Sequence, residues 1–134
     1  MFGIYHDVVL DIAPAKVFAA FSTETGLNSW WTDRCKADRR IGGTYEFYFD
    51  PDYHWSAEVI ELTEPKQITW IFTQADRDWT GTRLSFSLVH SNGKLLLRME
   101  HTGWRVRNHH FRHSSYWWAQ YLRKLKESLV TTPE

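Results

Sequence analysis

The sequence predicts an α+β domain: a curved, six-stranded antiparallel sheet wrapped around one long C-terminal helix, with two short helices after the first strand. Three observations lead there. The segment Asn108 to Val130 places Phe111, Trp118, Leu122, Leu125 and Leu129 at spacings of three, four and seven, which is one face of a helix. Upstream, six stretches alternate apolar and polar residues with a period of two. Five of these follow one another with no segment long enough for a helical crossover, which implies a meander.

The elements follow in order. Ile4, His6, Val8, Leu10 and Ile12 alternate with Tyr5, Asp7, Val9 and Asp11, a first strand with one buried face. Pro14 suits the first turn of a helix, and Val17, Phe18 and Phe21 give that helix an apolar side through Ser22. Thr23 can cap a second short helix, Glu24 to Trp31, with Leu27, Trp30 and Trp31 turned inward. Thr32 to Ile41 is charged and aperiodic and reads as a loop. Gly42-Gly43 opens a second strand, Thr44 to Asp50, with Tyr45, Phe47 and Phe49 on one face.

After the turn chemistry of Asp50-Pro51-Asp52, a third strand runs from about His54 to Leu62. Its apolar pattern changes phase between Val59 and Ile60, which predicts a bulge or a strand buried on both sides. The fourth strand, Gln67 to Thr73, alternates Ile68, Trp70 and Phe72. A polar loop, Gln74 to Thr80, leads to the fifth, Gly81 to His90, with Leu84, Phe86 and Leu88. Asn92-Gly93 is the strongest hairpin signal in the chain, because both residues tolerate positive φ. The sixth strand, Lys94 to Thr102, puts Leu95, Leu97, Met99 and His101 on one face. Asn108 can cap the long helix, which spans roughly 34 Å at 1.5 Å per residue.

Composition narrows the function classes. At 134 residues, with no internal boundary, the chain reads as a single domain, 1–134. Sixteen Lys and Arg balance sixteen Asp and Glu, so no net field favours nucleic acid or an anionic membrane. No apolar run reaches the roughly 18 residues of a membrane span. Cys35 is the lone cysteine, and no basic region with an apolar run stands at the start, so a reducing, cytoplasmic setting is expected. The aromatic share of 16%, with eight Trp, points to rings that either fill a core or wall a pocket.

The chain resembles the START-like (SRPBCC, Bet v 1-like) helix-grip superfamily, and within it the group named after the activator of heat-shock protein 90 ATPase. The matching pieces are Ala13-Pro14 with Val17 and Phe18, the Trp30-Trp31 pair and the Gly42-Gly43 opening of the second strand. Further on come Glu58 to Leu62 ahead of Pro65, Ile68 and Trp70, His101-Thr102-Gly103-Trp104, and the last helix with Trp118, Leu122 and Leu125. Glu64-Pro65 stands where members of the group often carry two prolines. The resemblance implies a cavity between sheet and last helix, used in other members for lipids, sterols, polyketides and other apolar molecules. It supplies no catalytic motif, since members divide among carriers, cyclases and chaperone regulators.

The expected ligand-binding residues are His6, Trp30, Tyr45, Phe47, Phe49, Trp70, Phe72, Phe86, His101, Trp104, Trp118, Tyr121 and Leu125. Periodicity turns most of them inward, and Trp117, Trp118 and Tyr121 together would overfill a tight core, which favours a partly open cavity lined by rings. The competing reading is that the rings simply fill the core. His6 and His101 are the inward groups able to move a proton near neutral pH, and the same residues can serve as hydrogen-bonded core or rim histidines.

Other motifs carry less. His109 and His113 have the i, i+4 spacing of metal ligands, but no HExxH accompanies them, and they read as exposed polar residues at a helix start. Arg105, Arg107 and Arg112 with Trp104 and Phe111 form a small basic cluster, which the zero net charge argues against as a nucleic-acid site. Arg34 and Lys36 flank Cys35 and could lower its pKa, with no base recognisable beside it.

The expected function is therefore binding of a small hydrophobic molecule between sheet and helix, as a carrier or sensor, with no metal or other cofactor and no catalytic residue assigned. Two alternatives stay open: a cyclase- or hydrolase-type enzyme using the same cavity through His6, His101 or a buried Tyr, and a chaperone ATPase regulator. The expected partners are a small apolar molecule and, under the last alternative, a chaperone; nucleic acid and membrane are not expected. The chain is expected to be a monomer or homodimer.

Overall fold

A computed structural model describes residues 1–50 and 52–131. In order, the elements are β1 (Phe2–Leu10), α1 (Pro14–Ser22), α2 (Glu24–Asn28), β2 (Arg34–Ala37), β3 (Thr44–Asp50), β4 (Tyr53–Thr63), β5 (Gln67–Gln74), β6 (Arg83–Ser91), β7 (Lys94–Trp104) and α3 (His109–Thr131). The strands form one antiparallel sheet in the order β1-β7-β6-β5-β4-β3-β2. Strands β2 to β7 are thus a continuous meander, and β1 extends it as the edge strand beside β7. The α+β class, the antiparallel sheet and the long final helix match the expectation from sequence.

The sheet has seven strands rather than six. The extra one, β2, lies in the stretch that reads as a loop, and it pairs Cys35 with Phe47 and Ala37 with Tyr45. Four residues are too short to display a period. Its outward positions, Arg34 and Lys36, are charged, as suits a sheet edge. Cys35 turns inward and is buried. The guanidinium of Arg34 lies over the Tyr48 ring, 4.1 Å from its centre, and covers the outer face.

Local signals act where they stand in the sequence. The Asn108 side chain accepts from the Phe111 N–H at 3.0 Å and starts α3, and Thr23 accepts from the Gly26 N–H at 3.0 Å and starts α2. The second helix ends at Asn28, three residues earlier than its apolar pattern suggests, and Trp30 and Trp31 follow in a turn. Asn92 and Gly93 both take positive φ, 52° and 75°, and make the tight β6–β7 hairpin. The phase change in β4 is a pair of register shifts against β5, between Ser56 and Ala57 and between Val59 and Glu61.

The core lies between the concave face of the sheet and α3. Trp118, Leu122, Leu125 and Leu129 of the helix are buried, as are Ile68, Trp70, Leu84, Phe86, Leu97 and Met99 of the sheet. Helices α1 and α2 contribute Val17, Phe18, Phe21 and Leu27 at one end. Gly26 holds that corner, since a Cβ there would sit 2.2 Å from the Ala19 carbonyl oxygen. No helix among the described residues is long and apolar enough to cross a membrane.

Candidate functional site

The inward aromatics form a packed interior. Tyr45, Phe47, Trp70, Phe72, Phe86, Trp104 and Leu125 are buried with almost no exposed surface, and Trp30 is close to that. Their rings meet edge to face: Tyr45 and Trp70 are 5.1 Å apart, Trp70 and Phe86 5.9 Å, Trp30 and Phe86 5.9 Å. The crowding expected on α3 is relieved by rotation about the helix. Trp118 points in, whereas Trp117, one position earlier, remains 40% exposed. His6 is half-buried and faces a separate surface depression beside Tyr5, Asp7, Arg98 and Glu100, away from the packed rings. Its Nε2 lies 3.2 Å from the Ser115 carbonyl oxygen, so this histidine is spent on the contact between β1 and α3.

Free space lies instead at one end of the grip. A cleft of about 330 Å³ opens between the N-terminal half of α3, the β3–β4 turn and the β5–β6 loop. Of the residues expected from sequence, Phe49, Trp118 and Tyr121 line it, joined by Trp31, Tyr53, Trp55, Trp79 and Trp117. The polar lining is Asp50, Asp76, His110, His113 and Ser114. The other expected residues, His6, Trp30, Tyr45, Phe47, Trp70, Phe72, Phe86, His101, Trp104 and Leu125, are not in its walls.

Trp79 is the residue that sequence reading missed most. It stands in a loop that reads as polar, Gln74 to Thr80, yet it is buried. Its ring stacks on Trp118 at 5.7 Å and lies 4.6 Å from Trp55, forming the back of the cleft. Its indole N–H donates to Ser114 Oγ at 3.1 Å, which ties the loop to α3. The available signal was a large ring between Asp78 and Thr80, where a solvated loop has no use for one.

The rim is acidic and hydrogen-bonded. Tyr53 donates its hydroxyl to Asp76 Oδ1, closing the β4 start onto the β5–β6 loop. This bond, with burial and the charge of Asp76, pushes the Tyr53 pKa up. Asp78 Oδ2 accepts from Asn108 Nδ2 at 3.1 Å and contacts His110 Nδ1 at 3.1 Å, and these two bonds hold its carboxyl below the usual range. Trp117 donates its indole N–H to His113 Nε2 at 2.8 Å.

Behind the cleft, His101 has no exposed surface. The Trp118 indole donates to its Nδ1 at 3.1 Å, and its Nε2 lies 2.8 Å from Thr82 Oγ1. The Thr82 hydroxyl donates in turn to the Trp79 carbonyl at 2.6 Å, so Nε2 must carry the imidazole proton and give it to Thr82. Burial, with a smaller contribution from His110, drives the His101 pKa down to about 3. A neutral, doubly bonded imidazole of this kind anchors Trp118 and Trp79.

One further sequence expectation changes, while His109 and His113 are exposed at the start of α3 as expected. Burial, reinforced by Glu24, pushes the Cys35 pKa up to about 12, so Arg34 and Lys36 do not activate the thiol. The rings of His109 and His113 stack at 5.5 Å, and His113 Nε2 is taken by Trp117. Among the described residues no three His, Cys, Asp or Glu side chains are grouped to hold a metal ion.

A larger depression, about 600 Å³, lies at the far end beside Val9 to Pro14, His90, Gly93 to Leu95, Lys126 and Val130. Among the described residues no Trp, Tyr or Phe lines it. The aromatic cleft is the better-built site.

The family model for activator of Hsp90 ATPase homolog 1-like proteins matches residues 11–129. The solution structure of an Aha1 dimer from Colwellia psychrerythraea superposes with a TM-score of 0.85 at 28% identity, covering 96% of each chain. A crystal structure from Mesorhizobium loti also gives 0.85, at 18% identity, over 99% of this chain and 100% of that one. CalU16 from Micromonospora echinospora gives 0.76 at 17% identity, over 96% of this chain and 76% of that one. The last two share the fold alone. A comparison with curated proteins found no match.

Proposed function

The chain belongs to the activator of Hsp90 ATPase homolog 1-like family, and from that premise we propose that it binds a small, largely apolar molecule in the aromatic cleft, as a carrier or sensor. The observation that carries this reading is the join of Trp31, Phe49, Trp55, Trp79 and Trp118 into one ring-lined concavity. Neighbouring ring centres there stand 4.6–5.7 Å apart. Such walls are rigid, offer stacking faces and bury most of a small flat ligand. The site so assigned is the mouth of the region expected from sequence, with Phe49, Trp118 and Tyr121 retained as contacts and the deeper rings as its support.

An acid–base role for His101 finds no support, because both of its nitrogens are bonded inside the protein. A homodimer is carried over as a proposal from the Colwellia psychrerythraea relative, whose solution structure is of a dimer. Light scattering of the purified chain tests that point.

The binding reading is tested with N-phenyl-1-naphthylamine, a neutral dye that fluoresces in apolar surroundings. Wild-type protein is expected to enhance its emission, and Trp117→Ala, which removes an exposed wall, to weaken the binding about tenfold. No enhancement by the wild type overturns the proposal. Native mass spectrometry of freshly purified protein then reads the mass of any molecule retained.

A further inference from the structure

The charges around the cleft are one-sided. Asp50 and Asp76 line it, and among the described residues no Lys or Arg does. Each carboxylate is oriented: Asp50 Oδ1 accepts from the Asp52 N–H at 2.8 Å, and Asp76 Oδ1 accepts from the Tyr53 hydroxyl. Lys124 lies 5.5 Å from the centre of the Tyr121 ring but lines the adjoining depression, together with Asp33.

Three of the lining indole donors are already taken. The indole N–H groups of Trp79, Trp117 and Trp118 are committed to Ser114, His113 and His101. Of these rings Trp117, 40% exposed, presents π surface to a guest, and the buried Trp79 and Trp118 back it. His113 Nε2 accepts a hydrogen bond from Trp117, and His110 stands between Asp78, 3.1 Å from Nδ1, and Asp76, 3.9 Å from Nε2. An anionic guest would meet two carboxylates with neither an ammonium nor a guanidinium to offset them. A cation would meet ring faces, whose quadrupoles attract positive charge, and carboxylates at the mouth.

We infer that the cleft is an aromatic cage for an organic cation, an alkylammonium group on an aromatic or aliphatic body, held by the rings of Tyr53, Trp55 and Trp117, which carry its accessible aromatic surface, and by Asp50 and Asp76. This names the ligand class of the binding site proposed above and rests on that reading. The body of the guest lies along Trp31 and Phe49, and its charge faces the acidic rim.

The test compares three probes of similar size on the full chain by calorimetry and tryptophan quenching: benzyltrimethylammonium, its uncharged carbon isostere neopentylbenzene, and phenylacetate. The cation is expected to bind about tenfold more tightly than the isostere, the size of a partly desolvated cation–π contact, with phenylacetate the weakest. The double variant Asp50→Asn, Asp76→Asn is expected to shrink that advantage to about threefold, the cation losing more affinity than the isostere. As a second probe of the wall, Trp117→Leu is expected to weaken the cation more than the isostere. An isostere or phenylacetate that binds as tightly as the cation overturns the cationic assignment and leaves the apolar-binding reading standing. So does binding of the naphthylamine dye with none of the cation. Failure of every probe, dye included, overturns both.

Discussion

Trp118 donates its indole proton to Nδ1 of His101 at 3.1 Å, so an imidazole with no exposed surface serves as the acceptor that fixes the central ring of α3. Thr82 completes the arrangement on Nε2 at 2.8 Å. Both nitrogens are satisfied only in the neutral Nε2–H form. Protonation at Nδ1 would set a second donor against the indole N–H and place a charge inside the packed rings.

Acid sensitivity follows. In the unfolded chain His101 takes up a proton near pH 6.5, whereas in the folded chain burial holds that event down to about pH 3. Between these values the unfolded state binds more protons. The contribution to stability is therefore fully present above about pH 6.5 and is lost as the pH falls, by about 1.4 kcal/mol per unit. Urea midpoints measured at pH 7.5, 6 and 5 should show this slope in the wild type and a shallower one in His101→Gln. Equal slopes would assign the acid sensitivity to other groups.

The same pair predicts a non-additive mutant cycle. Trp118→Phe keeps a ring in place but leaves Nδ1 without its donor, and it should cost roughly 2–4 kcal/mol, combining an unsatisfied buried acceptor with lost packing. In a His101→Leu background that acceptor no longer exists, so the added cost of Trp118→Phe should fall by about 1 kcal/mol or more. Chemical denaturation of the four proteins gives the coupling directly, and strict additivity would show that the bond contributes little.

Much of this arrangement can be read from residue periodicity. The helix face of Trp118, Leu122, Leu125 and Leu129, the inward Ile68, Trp70 and Phe72, and the Asn92-Gly93 turn depend on local spacing and local φ, which a sequence displays. Strand β2 does not, because pairing with β3 creates it and its four residues carry no period of their own. The cleft is harder still. Trp79 acquires its role only when the β5–β6 loop folds back onto α3, and Trp117 leaves the core because the helix can turn only one of two adjacent tryptophans inward. Inwardness could be foreseen for the rings; which of them would border free space depends on packing between distant segments.

Cys35 offers a check on the edge of the sheet. Its alternation with Arg34 and Lys36 buries the sulfur, and burial pushes the thiol pKa up to about 12. At pH 8 the thiolate fraction is then about a thousandfold below that of an exposed cysteine with a pKa near 8.5. Folded protein should react with a disulfide reagent at least that much more slowly than the denatured chain. Rapid labelling of native protein would mean that β2 detaches readily from β3.

Trp70 and Trp117 should separate stability from binding. Trp70 is fully buried, edge-on to Tyr45, Phe47 and Phe86, and lies away from the cleft walls. Trp70→Ala should cost roughly 3–5 kcal/mol, the range for emptying a large aromatic site in a core. Trp117 is 40% exposed and its main tie is to His113, so Trp117→Ala should change stability by no more than about 1 kcal/mol. Binding of the naphthylamine dye should respond to the opposite residue. It should weaken in Trp117→Ala at a concentration of protein that remains folded, and persist in the milder Trp70→Phe, which keeps the core filled. A dye that follows Trp70 instead would move the ligand from the mouth of the grip into its interior, because only a guest lodged among the deep rings would sense a change there.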